Sequence, residues 1–438
     1  METITVAPLT RFRQQFYDEV LGRRRDALCD LLDAALTLDP VTSLVGLSLA
    51  PAFARAWPST ADALAAGTLD VAAARRLFVR QLPPPVGNRE LWAIDGTTWP
   101  RPAAKTSPER TFCRFVTGGQ PAEGIIAGWE WQWLARIAEE QGSWALPLDV
   151  ARRSPAAGKP TALAIAQVRQ TLAARRAKDP RPVVVLDSHY DLVELIQAKL
   201  NCDWLVRLSS RRTFFRPPPP YPGKGAPRKH GPVFRTHEPA SHGAPDWSER
   251  RPDPGRDWVQ VDGWDDLHSQ PAATTTCTVV RVTVGRLPRR ETPPEPLWLA
   301  WSGPLPADGF ALWHWYERRF TLEHLFRFLK QSLGWTRVRV RSPWAAERWS
   351  WLLAAGIWQL WLARGLAVDA RLPWQRAAEP ARRSPGRVRR GFAGLLLACG
   401  SPARAPTRRG KSPGRRSGER PGRRQRFPVH RRTPTKAA

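Results

Sequence analysis

The stretch VVVLDSHYDLVELIQAKL, residues 183–200, decides the fold class. Its leading apolar residues, Val183 to Leu186, read as a short buried strand, after which Leu192, Val193, Leu195, Ile196 and Leu200 recur at helical spacing. An acid, Asp187, closes the strand at its carboxyl end, where α/β sheets place their ligand sites. A second apolar run, Leu91-Trp-Ala-Ile94, delivers Asp95 in the same way and leads through Gly96-Thr97-Thr98 into a turn or second strand. Two strand-end aspartates therefore predict an α/β protein with its chemistry at the strand ends.

Working outward, residues 1–85 carry apolar positions at helical period, with breaks at Asp39-Pro40 and Pro58-Ser59, and predict a small helical N-terminal domain. Its arginines 11, 13, 23, 24 and 25 suit either DNA phosphates or a solvated helix face. Residues 86–210 form the first part of the α/β core. Residues 211–305 read as a β-rich insertion: Pro217 to Pro220 opens an extended basic loop with Lys224, Arg228 and Lys229, and β-branched alternation returns at Thr274 to Val284. Residues 306–372 turn helical and complete the core. Residues 373–438 read as a basic, disordered tail, whose last 38 residues hold 13 Lys and Arg against one acid, Glu419.

Overall, 68 basic residues oppose 39 acidic ones, a net charge of +29. Only nine of the cations are Lys and 59 are Arg, the side chain that grips phosphate with a two-pronged fork. Such a balance points to a polyanionic partner, and a codon bias toward Arg, Ala and Pro produces part of the same excess. With 42% apolar residues and 22 Trp, wholesale disorder is excluded. The five Cys are scattered and odd in number, which reads as reduced thiols; His237 and His242 lack the cysteine pair of a zinc site. No secretory signal opens the chain, and Trp349 to Ala363 falls short of the ~20 residues that cross a bilayer. The expectation is a cytoplasmic, nucleoid-associated protein without a membrane partner.

LWHWYERRFTLEHLFRFLKQSL, from Leu312 to Leu333, contains neither Gly nor Pro and predicts one continuous helix. At 100° per residue, Tyr316, Arg319, Glu323 and Lys330 fall at about 0°, 300°, 340° and 320°, within one sector of about 60°. An ordinary core-facing helix fills such an edge with Leu or Val. The plain alternative is an Arg319–Glu323 salt bridge beside a solvated Lys330. Adding Asp95 and Asp187 to Glu323 gives three acids from three elements. Brought together they would repel and raise one another's pKa unless divalent cations lay among them, and hard oxygen ligands suit Mg²⁺ or Mn²⁺. Two such ions activate a water or 3′-hydroxyl and stabilise the leaving oxygen of a phosphodiester.

The spacing Tyr316-x2-Arg319-x3-Glu323-x6-Lys330 resembles the Y-(2)-R-(3)-E-(6)-K signature of bacterial insertion-sequence DDE transposases at every fixed position. AIDGTTWPRPAAKTSPER around Asp95, VVVLDSHYDL around Asp187, GKGAPRKHGPVF in the basic loop and LGWTRVRVRSPWAAERWSWLL after the signature are similar to the same group. The likeness covers roughly residues 90–370 and extends to the basic tail. It implies a ribonuclease H-like core, with Asp95, Asp187 and Glu323 as the catalytic triad holding Mg²⁺ or Mn²⁺, two ions. It places Tyr316, Arg319 and Lys330 against a DNA end, Lys224, Arg228 and Lys229 as further DNA contacts, and the 136-residue spacing between the second and third acids over a β-rich insertion. The implied activity is binding of inverted-repeat ends, cleavage, and joining of 3′-OH ends to target DNA, by a homodimer at synapsis. The alternative is a transposase-derived DNA-binding repressor that does not cut. In relatives that use a DNA hairpin, an insertion tryptophan stacks on a flipped base; Trp258, Trp264, Trp298 and Trp301 are the candidates.

Overall fold

The computed structural model describes residues 5–85, 89–115, 124–285 and 294–407, together with 414, 417–418, 422 and 424–431. An N-terminal layer comprises α1 (Ala7–Gln15), a π-helical turn (Phe16–Val20), α2 (Arg25–Thr37), α3 (Leu44–Ser48), α4 (Pro58–Ala66) and α5 (Val71–Arg80). Apolar periodicity builds these helices, and Asp70 caps α5 by accepting from the Ala73 N–H. The long strands β1 (Leu91–Pro100), β2 (Thr111–Phe115), β3 (Gly124–Ile137) and β4 (Ala145–Arg153) follow. Next come α6 (Pro160–Ala173), β5 (Val183–Leu186), α7 (Leu192–Gln197) and β6 (Asp203–Arg207).

β1 pairs antiparallel with β3, β3 with β4 and β2 with β3, whereas β5 lies parallel to β1 and β6 parallel to β5. The segment 211–305 does not form a separate sheet. Its strands β7 (Thr213–Phe215), β8 (Val233–Arg235), β9 (Trp247–Asp253), β10 (Asp257–His268), β11 (Thr276–Val284) and β12 (Leu297–Trp301) extend the first one, because β12 pairs antiparallel with β6. One 12-stranded mixed sheet results, with path β2-β3-β1-β5-β6-β12-β11-β10-β7-β8.

The expected single helix over 312–333 is two. α8 (Phe310–Arg318) and α9 (Thr321–Gln331) meet at a tight turn, in which the amides of Arg319, Phe320, Leu322 and Glu323 each bond three residues back. Neither Gly nor Pro marks this break. α9 lies against β1, β3 and β4, and α10 (Pro343–Ala363), the longest of the described helices, packs on β4 and on α1, α2, α4 and α5. Between them Gly334 adopts a left-handed φ of 62°; a Cβ there would stand 2.5 Å from the Val41 carbonyl. That turn drives Trp335 into Trp99, Trp131 and Trp133, with ring centroids 5.4–5.8 Å apart.

The segment from 373 is not tail-like throughout. α11 (Pro385–Arg390) and α12 (Phe392–Cys399) are folded, with Val388 and Phe392 fully buried and Arg389 held by Asp39. Most of 408–438 lies outside the described residues, but 424–431 crosses the outer edge of β2, where Thr111 and His430 form a parallel bridge.

Candidate active site

Register places the first two acids together. Ala93 on β1 stands opposite Val185 on the parallel β5, so Asp95 and Asp187, each two residues further on, emerge side by side. Both line one cleft of about 530 Å³, together with Thr97, Arg114, Arg153 and His189. Burial and the neighbouring Asp187 charge push the Asp95 carboxyl up to about 6 against the opposing pull of Arg319. Asp187 goes the other way. Burial alone would raise it, but His189 donates its backbone N–H at 3.0 Å and faces the carboxylate with Nδ1 at 2.8 Å, and the carboxyl lies below its ordinary range. The same bond and charge raise the His189 imidazole.

The α8–α9 turn delivers the remaining groups. Arg319 donates from Nη1 to Asp95 Oδ2 at 2.6 Å, while its Nη2 lies 3.8 Å from Glu323 Oε1. Its guanidinium thus stands between the first and third acids. Burial opposes its charge, but the carboxylates of Asp95 and Asp187 outweigh that and raise its pKa. The Tyr316 ring centroid is 5.8 Å from that guanidinium. Lys330, one face of α9 further on, is not solvated: it donates to Thr97 Oγ1 at 2.6 Å on β1, and burial lowers its pKa although the Asp95 charge supports it. Glu323 remains 43% exposed at the rim, and among the described residues no three acidic, His or Cys side chains gather as a metal-holding group.

Other candidates lie elsewhere. Lys224, Arg228 and Lys229 are exposed on the loop between β7 and β8, at the far end of the sheet, with β5, β6, β12, β11 and β10 between β1 and β7. Trp264, Trp298 and Trp301 are buried in the insertion, which removes them as partners of a flipped base; Trp258 is half-buried beneath Arg250, whose guanidinium is 3.9 Å from the ring. Arg13 is corrected as a phosphate contact. It is 3% exposed, clamps Asp33 through two bonds of 2.6 and 2.8 Å, and reaches Gln359 of α10. The spacing missed His189, Thr97 and the buried Tyr190, whose hydroxyl donates to Gln132 Oε1 at 3.2 Å. The polar runs directly after the two strand-end acids, Gly96-Thr-Thr98 and Ser188-His-Tyr190, were their only signal.

Fold and cleft together define an α/β protein whose site is a pair of strand-end carboxylates, one held by an arginine and the other by a histidine. Residues 15–267 match the family model of DDE superfamily endonucleases, more than half the chain, and the chain belongs to that family. The match includes Asp95 and Asp187 and ends before Glu323. Among solved structures, the chain is similar to piggyBac transposase in a synaptic complex with hairpin DNA, at 10% identity and a TM-score of 0.44, over 91% of this chain and 81% of that one. No curated protein matches it. Among the described residues, no helix is long and apolar enough to cross a membrane.

Proposed function

We propose that the chain is a DNA transposase that binds the inverted-repeat ends of an insertion sequence, cuts them by metal-dependent hydrolysis and joins the 3′-OH ends to target DNA. The observation that carries this reading is the Asp95–Asp187 pair on neighbouring parallel strands in one cleft, with Arg319 bonded to Asp95 and Lys330 bonded to the cleft residue Thr97, in a chain of an endonuclease family. The path β4-β3-β1-β5-β6, antiparallel for its first three strands and parallel thereafter, supports a ribonuclease H-like core. Two partly buried carboxylates, one raised by burial and by the other's charge, are hard oxygen donors that fit Mg²⁺ or Mn²⁺. Asp95, Asp187 and Glu323 would hold the ions, which supply activation of the attacking oxygen and stabilisation of the leaving one.

The chain's own side chains do the rest. Arg319 and Lys330 set two cations beside the acids where a scissile phosphate enters, and the Tyr316 ring is placed to stack on an adjacent base. His189 holds the Asp187 carboxylate ionised and oriented. Lys224, Arg228 and Lys229 extend phosphate contact along the insertion. At synapsis two protomers hold two ends, in the nucleoid where the substrate lies.

One observation favours a second reading, a DNA-binding repressor that does not cut: Arg319 occupies Asp95 and stands between it and Glu323. Incubating the purified chain with duplexes carrying the element ends and Mg²⁺ or Mn²⁺ separates the two. Nicking at the ends supports the transposase; binding without nicking under either ion leaves the repressor.

A further inference from the structure

Between Gly334 and the start of α10, the segment Arg337-Val-Arg-Val-Arg341 alternates exposed arginines with buried valines: Arg337, Arg339 and Arg341 face outward, and Val338 and Val340 are 0% and 3% exposed. The buried valines anchor the backbone and leave three exposed arginines, a basic rail, within five residues. Beside it, Arg101 donates to the Val340 carbonyl, and Arg110 donates to the Arg101 carbonyl at 3.2 Å and to the Phe427 carbonyl at 3.0 Å. The C-terminal segment is tied down in turn: the Phe427 N–H bonds the Lys105 carbonyl at 2.9 Å, and the His430 N–H the Arg110 carbonyl at 2.8 Å. That strap carries Arg424, Arg426 and Arg431, all exposed.

Among the described residues, none of the arginines of the rail and the strap forms an ion pair with an acid. Glu109 and Glu347 are both turned to Arg152, at 2.8 and 2.9 Å. Burial lowers the Arg101 pKa, and the positive charges of Arg339 and Arg110 lower it further. Like charges held together by a fixed backbone are a standing electrostatic cost that a polyanion removes. The strap also adjoins the cleft. His430 bridges Thr111 at one end of β2, and Arg114, three residues on, lines the cleft that holds Asp95 and Asp187.

We propose that the Arg337–Arg339–Arg341 rail and the Arg424–Arg426–Arg431 strap form one surface that binds the backbone of duplex DNA leading away from the cleft. It rests on the reading of the cleft as a DNA-cutting site, and it places residues 424–431 in a fixed position on that duplex. Binding here is blind to sequence and sensitive to salt.

The test measures affinity of the full chain for duplex DNA as a function of salt, beside single-turnover nicking at saturating DNA. Each phosphate contact adds about 0.9 to the slope of log affinity against log salt. Replacing Arg337, Arg339 and Arg341 with Gln is expected to reduce the slope by about 2 to 3, and the same change at Arg424, Arg426 and Arg431 to reduce it by a similar amount, with nicking at saturation retained. The Arg→Lys triples keep the charge and are expected to keep the wild-type slope. A wild-type slope in both Gln variants overturns the proposal, as does a Lys triple that loses as much as its Gln counterpart. If the wild type binds with the full slope and never nicks, the cutting reading falls and the surface stands. If it nicks while both Gln variants bind like the wild type, the surface falls and the cutting reading stands.

Discussion

The cleft and the rail use the same side chains to opposite ends. In the cleft Arg319 is 12% exposed and bonded to Asp95, Lys330 is bonded to Thr97, and each charge has a named partner. On the rail Arg337, Arg339 and Arg341 are exposed, and the nearby acids face another residue. Buried charge must be paired or it destabilises the fold, so it can be placed to within a bond length. Exposed charge is cheap to hold, and its use lies in attraction rather than placement. The net charge of +29 is therefore carried by exposed arginines such as those of the rail, whereas the paired charges of the cleft cancel.

The largest effect that sharpens this contrast is expected from Asp95→Asn. Removing the oxygen proposed to hold a cation should lower end nicking by at least about a thousandfold while DNA affinity and its salt slope stay near wild type, as read by gel cleavage and titration. Second is a buried pair outside the cleft. Arg13→Ala strands Asp33 at 3% exposure and should cost about 3–5 kcal/mol in denaturant unfolding, whereas Arg339→Ala should stay within about 0.5 kcal/mol. An equal cost at both positions would break the distinction between the two kinds of arginine.

Third is a pH profile. The Asp95 carboxyl is raised to about 6 by burial and by Asp187; on the proposed reading its protonation below that value releases the cation, and nicking is expected to be lost as pH falls through about 6. Nicking at limiting Mg²⁺ should drop about tenfold per pH unit there, and more Mg²⁺ should move the midpoint to lower pH. A midpoint indifferent to Mg²⁺ would detach Asp95 from the ion. The smallest effect is that of Arg339→Gln alone: a reduction of about 0.9 in the salt slope, with nicking at saturating DNA unchanged.

Much of the core was legible because it is written locally. LWAID and VVVLD are apolar runs ending in an acid, and they became β1 and β5 with their aspartates in one cleft. The break between α8 and α9 was not legible. Glu317-Arg-Arg-Phe-Thr321 has good helix formers and no Gly or Pro, and the partner of Arg319 is Asp95, 224 residues away. Helical arithmetic grouped Tyr316, Arg319, Glu323 and Lys330 on one edge, and tertiary contacts then separated them: Lys330 went to Thr97 and Glu323 to the rim. Arg13 shows the same limit, since basic residues at its spacing look alike whether solvated or buried on a distant Gln359. The strap was hidden for another reason. Its basic, proline-containing composition reads as disorder, but it docks through backbone hydrogen bonds to β2 and the preceding loop, which composition does not encode.

The most direct measurement is Asp187→Asn in the full chain, assayed for end binding and for Mg²⁺- or Mn²⁺-dependent nicking on the same duplex. The account predicts wild-type affinity and salt slope with nicking lost. Nicking retained at the wild-type rate would contradict it, because the cut would then be made without the carboxylate that β5 delivers to the cleft.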